Sequence, residues 1–281
     1  MTLPMPTLDH VVINTRDRMD EAEALYQRLG FQLTPRGHHT LGTINHLAIF
    51  GTEYLELVGI DPAKASSTQT ASIMGFPVGL NGLVFGTDDS LGVHKTLSAA
   101  GVPVADPVEF SRPVVLPGLT EDAKFRVVRV RPEAAPYGRV YFCHHFTRHM
   151  VWRDEWRHHA NGVLGVERAV ICAADPATVA ELYRAMFGPD ALRTAGDGFS
   201  VLVGLSRFDI VSPRTLAAEL GAAAPDPQGR DSYMAALTLR CASIERAAAA
   251  LRHGGIATTP RDRGLVVAAR DGFGATLEFV A

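Results

Sequence analysis

Hydrophobic and polar positions along the chain fall into short apolar runs broken by helical stretches, in a recurring order. Residues 8–31, LDHVVINTRDRMDEAEALYQRLGF, begin with a strand-like apolar run, LDHVVINT. A polar stretch follows in which Ala22, Leu25, Tyr26 and Leu29 fall at helical spacing, with Gly30 as a stop. Periods of 2 and 3.6 mark a buried strand and then an amphipathic helix from Asp17 to about Leu29. NHLAIFG and YLELVGI follow as strands. The same rhythm returns in NGLVFGTDD, SLGVHKTLSAAG, VPVADPVEF, AKFRVVRVRP and RVYFCHHFT. It returns again in ERAVICAAD, PATVAELYRAMFG (Pro176 at a helix start), GFSVLVGL and RFDIVSP, and a last time in MAALTLRCA, SIERAAAALRHGG, GLVVAAR and ATLEFVA. Four βαβββ units of this kind define an α+β chain.

Between the second and third units lies RHMVWRDEWRHHANGV, residues 148–163, rich in Trp, Arg and His. It is read as the junction of two domains, residues 1–150 and 164–281, with a linker at 151–163. Trp152 and Trp156, four apart, share one face of a linker helix and pack between the domains. The 281 residues, 47% of them hydrophobic, suffice for two cores.

A net charge of −3 supplies no general attraction to nucleic acid or to an anionic membrane, which turns attention to a small-molecule partner. Cys143, Cys172 and Cys241 are odd in number, far apart and without a CxxC pair, which argues against a disulfide framework and a thiolate zinc site. The N-terminus carries no signal-peptide pattern, and no apolar run reaches the roughly 18 residues of a membrane span. A cytoplasmic protein is expected. PVGLNGLVFG has glycines but neither GxGxxG spacing nor a Walker lysine, so no nucleotide site is assigned.

Three residues stand out as candidates for chemistry. His10 sits in the first apolar strand, where a lone histidine is ordinarily a packed one. In YLELVGI, alternation puts Tyr54, Glu56 and Val58 on one face; Glu56 is either a buried carboxylate in need of a partner or the solvated side of an edge strand. In VYFCHHFT, Tyr141, Cys143 and His145 share one parity and His144 the other, so the two histidines face opposite ways. Two imidazoles and a carboxylate form a 2-His-1-carboxylate set if the fold unites them. His38, His39 and His46 in HHTLGTINH read as a polar hairpin loop sooner than as a metal cluster. Asn45 is equally suited to bonding a substrate or capping a strand, and Cys143 to lining a pocket or packing as a small hydrophobe.

The four units, with LDHVVI opening the first and YLELVGI closing it, resemble the vicinal oxygen chelate superfamily, the fold of glyoxalase I, extradiol dioxygenases and fosfomycin-resistance proteins. LDHVVINTRD, GTINHLAIFGTEYLELVGID, FCHHFTRHMVWRDEW and HHANGV are similar more narrowly to the glyoxalase-like domain proteins. The resemblance implies two paired-module open barrels, with metal ligands on the first and last strands of each unit. His10, Glu56 and His145 then fall at ligand positions and Gly82, which cannot ligate, at the fourth, leaving a coordination position open. TRHMVW departs from the Thr-Pro-Glu run common in that group. The later units place Arg168 and the alanines Ala235 and Ala236 where histidines would stand, with Asp209 and Glu278 in last strands. The C-terminal half is thus expected to be a degenerate copy without metal.

What the resemblance implies is a divalent-metal enzyme (Zn, Ni, Mn or Fe) acting on a small oxygen-chelating metabolite. Glyoxalase I-like lyase or isomerase chemistry is favoured, with Glu56 catalytic and Asn45, Cys143 and Tyr141 contacting substrate. An extradiol-type dioxygenase and a metal-free binding or resistance protein, in which His10 and Glu56 pair with each other, are the alternatives. The strands suit two barrels within one chain or a homodimer equally.

Overall fold

The computed structural model describes residues 2–64 and 68–281. The first unit comprises β1 (Leu8–Arg16), α1 (Met19–Arg28), β2 (Gly37–His38), β3 (Thr43–Ile49) and β4 (Tyr54–Ile60), followed by the short α2 (Thr68–Met74). The second comprises β5 (Gly79–Gly86), α3 (Ser90–Ala99), β6 (Val108–Leu116), β7 (Leu119–Arg129) and β8 (Arg139–His145). The third has β9 (Val163–Ala173), α4 (Pro176–Phe187), β10 (Leu192–Ala195), β11 (Gly198–Val203) and β12 (Ser206–Val211), with α5 (Pro213–Leu220) after it. The fourth has β13 (Ser232–Cys241), α6 (Ile244–His253), β14 (Thr259–Arg261), β15 (Gly264–Val267) and β16 (Thr276–Val280). The four βαβββ units read from the patterning are all present.

Local chemistry sets the helix ends. The carboxylate of Asp89 accepts from the Gly92 amide at the start of α3, Asp175 caps α4 ahead of Pro176 at its first turn, and Ser212 and Ser243 cap α5 and α6. At α1, Arg18 offers no side-chain cap and the helix begins at Met19.

Each half contributes one eight-stranded sheet, in the orders β2-β3-β4-β1-β5-β8-β7-β6 and β10-β11-β12-β9-β13-β16-β15-β14. In the first sheet β1 and β4 run parallel, as do β5 and β8, and the antiparallel β1–β5 pair joins the two units. The sheet curls until its ends meet: the Thr40 amide donates to the Ser111 carbonyl at 3.0 Å. Its inner face holds Val12, Leu47, Tyr54, Val84, Phe125 and Cys143 around a cup. Its outer face belongs to the large core, together with residues of the second sheet.

That shared core fuses the halves. Phe85 meets Phe187 at 5.2 Å and Phe208 at 6.3 Å, and the hydroxyls of Tyr137 and Tyr183 bond at 2.7 Å in the buried seam. Gly79 (φ +126°) lies so close to Gly274 that a Cβ there would stand 2.6 Å from its carbonyl oxygen, so the approach requires glycine.

The stretch 148–163 departs from the expected linker helix. It forms two single turns, Arg148–Met150 and Asp154–Trp156. The buried Met150, Val151 and Trp156 are spaced one and five apart, which no helix face with neighbours at three and four accommodates. Both tryptophans pack on the first sheet's cup instead of between the halves. Among the described residues no helix is long and apolar enough to cross a membrane.

Candidate active site

The site begins with an irregularity in β1. Its register against β5 advances from Leu8↔Phe85 to His10↔Val84, so Asp9 is the extra residue of a β-bulge. A bulge re-aims side chains that strict alternation would send to opposite faces. Asp9 and His10 consequently both join the cup wall, and the Nδ1–H of His10 donates to Asp9 Oδ1 at 2.6 Å. His145, on β8, donates from Nε2 to the same oxygen at 3.1 Å. Burial would raise the Asp9 carboxyl, but the His145 charge and the two imidazole hydrogen bonds hold it well below the usual carboxylate range. A buried carboxylate thus stands between the two histidines.

Because Asp9 fixes the proton on Nδ1, the other nitrogen of His10 faces the cavity. Its Nε2 lies 3.0 Å from the Tyr141 hydroxyl and 3.5 Å from Glu56 Oε2. The ring stacks on Tyr54 at 4.4 Å, which sets its plane. Glu56 is on β4, interior to the sheet and only 7% exposed, which excludes the edge-strand reading. Its Oε1 accepts from Asn45 Nδ2 at 2.7 Å, so Asn45 holds a carboxylate as well as facing the cavity. The Asn45 amide also meets His39 Nε2 at 3.3 Å, and His39 Nδ1 meets Thr43 Oγ1 at 2.7 Å. Burial, with Arg112 and Arg129 close by, pushes the His39 imidazole down to about 3 and keeps it neutral.

The three histidines of HHTLGTINH do not converge. His39 enters the cup wall, His38 pairs with Asp61 at 3.3 Å, and His46 meets Glu23 at 3.0 Å. The adjacent pair on β8 divides as alternation requires: His145 faces inward, whereas His144 lies near Ser90 and Phe146. Cys143 lines the same cavity as a neutral thiol, raised well above its ordinary value by burial and by the charges of Asp9 and Glu56. Tyr141 is likewise held protonated by burial and Glu56.

Strand register adds detail to the sequence positions. Glu56 lies two residues beyond the partner of His10, at Tyr54. In the second unit the partner of Gly82 is Arg139, so the corresponding position is Tyr141, four residues before His145. Gly82 itself packs: a Cβ there would lie 2.7 Å from Val12 Cβ and Cγ2. His10, Glu56 and His145 share one cup wall, with Asp9 bridging the two imidazoles. Among the described residues the group whose ligand atoms all lie within 4.8 Å of one another is Asp9, Cys143 and His145.

A cavity of about 60 Å³ opens beside these groups. Besides the residues foreseen it is lined by Arg112, Arg129 and Arg139. Trp152 covers His145 from the side, its ring 4.9 Å from the imidazole and 3.4 Å from the Arg148 guanidinium. Asp9 and these arginines were missed in the sequence. Alternation placed Asp9 on the outer face, and the one available signal for Arg129 was its shared parity with Phe125 and Val127 in AKFRVVRVRP.

The C-terminal sheet repeats the register with different chemistry. Arg168 pairs with Arg207 as His10 does with Tyr54, and Asp209 takes the place of Glu56. Arg168 Nε donates to Asp209 and Nη2 to Glu219 at 3.0 Å, while Thr238 donates to Glu278 at 2.7 Å. An ion pair occupies the histidine–carboxylate position.

A chain of two eight-stranded sheets, each built from two βαβββ units, the first of them curled around a cup, has the vicinal oxygen chelate fold. The family model described as a glyoxalase-like domain matches residues 8–187, and the chain belongs to that family. Among solved structures it is similar to a hypothetical protein from Staphylococcus aureus, at TM-score 0.70 and 14% identity over 98% of this chain and 99% of that one. It is also similar to a mutant 4-hydroxymandelate synthase from Streptomyces coelicolor, at TM-score 0.58 and 13% identity over 99% and 93%. A xylose isomerase-like TIM barrel/4-hydroxyphenylpyruvate dioxygenase fusion protein matches at TM-score 0.56 and 16% identity, over 92% of this chain and 40% of that one. At these identities the likeness concerns the fold. A search of curated proteins by sequence finds no match.

Proposed function

We propose that the N-terminal cup is the active site of a metal-assisted enzyme acting on a small oxygen-bearing metabolite, with isomerase or lyase chemistry of the glyoxalase I kind. The observation that carries this reading is the buried line Glu56, His10, Asp9, His145, joined by contacts of 3.5, 2.6 and 3.1 Å beside a cavity. Glu56 is the proposed base. Asn45 holds one of its oxygens, leaving the other to take a proton from a carbon next to a carbonyl. Asp9, by accepting from Nδ1, keeps the His10 ring in the tautomer whose Nε2 lone pair faces the cavity and is free to ligate. Positioned acid–base groups of this type contribute roughly 10²–10⁴-fold in rate.

The donors suit a divalent ion. His145 Nδ1 is buried without a hydrogen-bond partner, and imidazole, carboxylate and thiol are the ligand types that Zn, Ni, Mn and Fe accept. His10, Glu56 and His145 are the proposed holders, with Asp9 and Cys143 in reach. When bound, the ion would supply Lewis-acid polarisation of the substrate oxygens.

A second reading, a metal-free binding protein, is favoured by one observation: His10 and Glu56 already lie at ion-pair distance from each other. An extradiol-type dioxygenase is the remaining alternative, consistent with the fold shared with 4-hydroxymandelate synthase. Elemental analysis by plasma mass spectrometry, on protein reloaded with each ion, separates the three. The expected result is near-stoichiometric zinc, nickel or manganese in the wild type, lost in folded His10→Ala, Glu56→Ala and His145→Ala. Iron alone would favour the dioxygenase, and equal retention by wild type and variants would overturn the metal-assisted reading.

A further inference from the structure

Three arginines line the cavity against one carboxylate, that of Glu56. Arg112, on β6, is 3% exposed, and its Nε and Nη2 have no hydrogen-bond partner. Arg139, on β8, donates from Nε to the neutral Asn81 amide oxygen at 2.7 Å, and its Nη2 is likewise buried and unpartnered. Arg129, on β7, lies over the Tyr141 ring at 5.8 Å. Among the described residues none of the three meets a carboxylate within ion-pair distance. The remaining acid of the cup, Asp9, is already engaged by two imidazoles.

Buried cations ordinarily meet an anion, because a guanidinium removed from water without one loses hydration that nothing replaces. Elsewhere this chain obeys that rule: Arg168 in the second sheet is answered by Asp209 and Glu219. The first cup therefore holds a positive excess with donors left open, in the cavity that Glu56 also lines. Arg112 and Arg129 also bear on His39, whose imidazole they help keep uncharged. Planar guanidinium donors suit the paired oxygens of an oxyanion. The cavity volume of about 60 Å³ is several times the roughly 10–15 Å³ that a cavity needs to admit one water, which sets the ligand at a few heavy atoms.

We propose that Arg112, Arg129 and Arg139 form a binding pocket for a small oxyanion, a compact carboxylate or phosphate, whose neighbouring atoms are thereby presented to Glu56 and His10. This deepens the catalytic reading, on which it rests, by giving the substrate its charge. It also accounts for three buried cations lining one cavity without a carboxylate at ion-pair distance.

The test is isothermal titration and thermal shift on the full chain stripped of metal with chelator, using malonate, its neutral counterpart malonamide, and inorganic phosphate. Expected is saturable binding of malonate or phosphate that exceeds malonamide by at least about tenfold and falls at least about tenfold in Arg112→Gln and Arg129→Gln. Whichever anion binds more tightly identifies the oxyanion. Arg112→Lys, which keeps the charge, restores part of the affinity, and circular dichroism confirms folding; Arg129→Gln, the less buried position, decides the matter if Arg112→Gln does not fold. Equal binding of malonamide, or anion binding unchanged in folded variants, overturns the pocket. Metal retained when the same preparations are afterwards reloaded with zinc, nickel or manganese and desalted separates the two proposals. Anion selectivity without metal retention leaves the pocket standing and removes the metal-assisted enzyme; metal retention without anion selectivity does the reverse.

Discussion

His39 offers a direct measure of how strongly the cup resists positive charge. Its imidazole is 6% exposed and is pushed down to about 3 from an ordinary 6.5, first by burial and then by Arg112 and Arg129. A base whose pKa is depressed on folding binds its proton more readily in the unfolded chain, so stability falls as pH drops below 6.5 and continues to fall until about 3. Each pH unit in that window is worth about 1.4 kcal/mol, or about 2.5 kcal/mol between pH 7 and pH 4.5. Asp9 also loses stabilising interactions on acidification, but its folded pKa lies below the ordinary 3.8, so its contribution disappears only below the range measured. The assay is urea unfolding from pH 4.5 to 7.5 for wild type and His39→Gln. The variant pays a fixed cost at every pH, and the difference between the two proteins should shrink by about 2.5 kcal/mol toward pH 4.5. His159, buried elsewhere and shifted in the same direction, is common to both and cancels. A difference constant across the range would refute the idea that His39 is held neutral.

Two further outcomes are expected. Gly82→Ala places a Cβ 2.7 Å from Val12, and the overpacked cup should lose about 1–3 kcal/mol, read from the urea midpoint at constant slope. Asp209→Asn removes one of the carboxylates that answer Arg168. It should cost about 1.5–3 kcal/mol of stability while leaving the metal content of the N-terminal cup unchanged; loss of metal would show the two halves to be coupled.

The repeat of four βαβββ units and the faces of most strands were legible in the linear chain, because the period of apolar positions is dictated locally by pleat and helix geometry. The shared parity of Tyr54 with Glu56 and of Tyr141, Cys143 and His145, and the opposite turn of His144, followed from alternation alone; which of the two faces lies inside was decided by the sheet's closure. His10 was visible for the same reason. Alternation failed at Asp9, where one extra residue in the ladder turned toward the cup a side chain that parity assigns to the other face; a bulge is set by the pairing of β1 with β5, some seventy residues away in sequence. The linker helix failed for a related reason: Met150, Val151 and Trp156 follow the curvature of a wall built by other strands.

What the chain determined by itself, then, was the set of elements and which residues each could turn inward, since these depend on neighbours in sequence. What tertiary structure alone decided was company: that Asp9 bridges two histidines from opposite ends of the first half, that Asn45 grips Glu56, and that three arginines from three strands line one cavity with no described carboxylate at ion-pair distance. Charge balance in a buried site is a sum over residues brought together by folding, and no local pattern contains it.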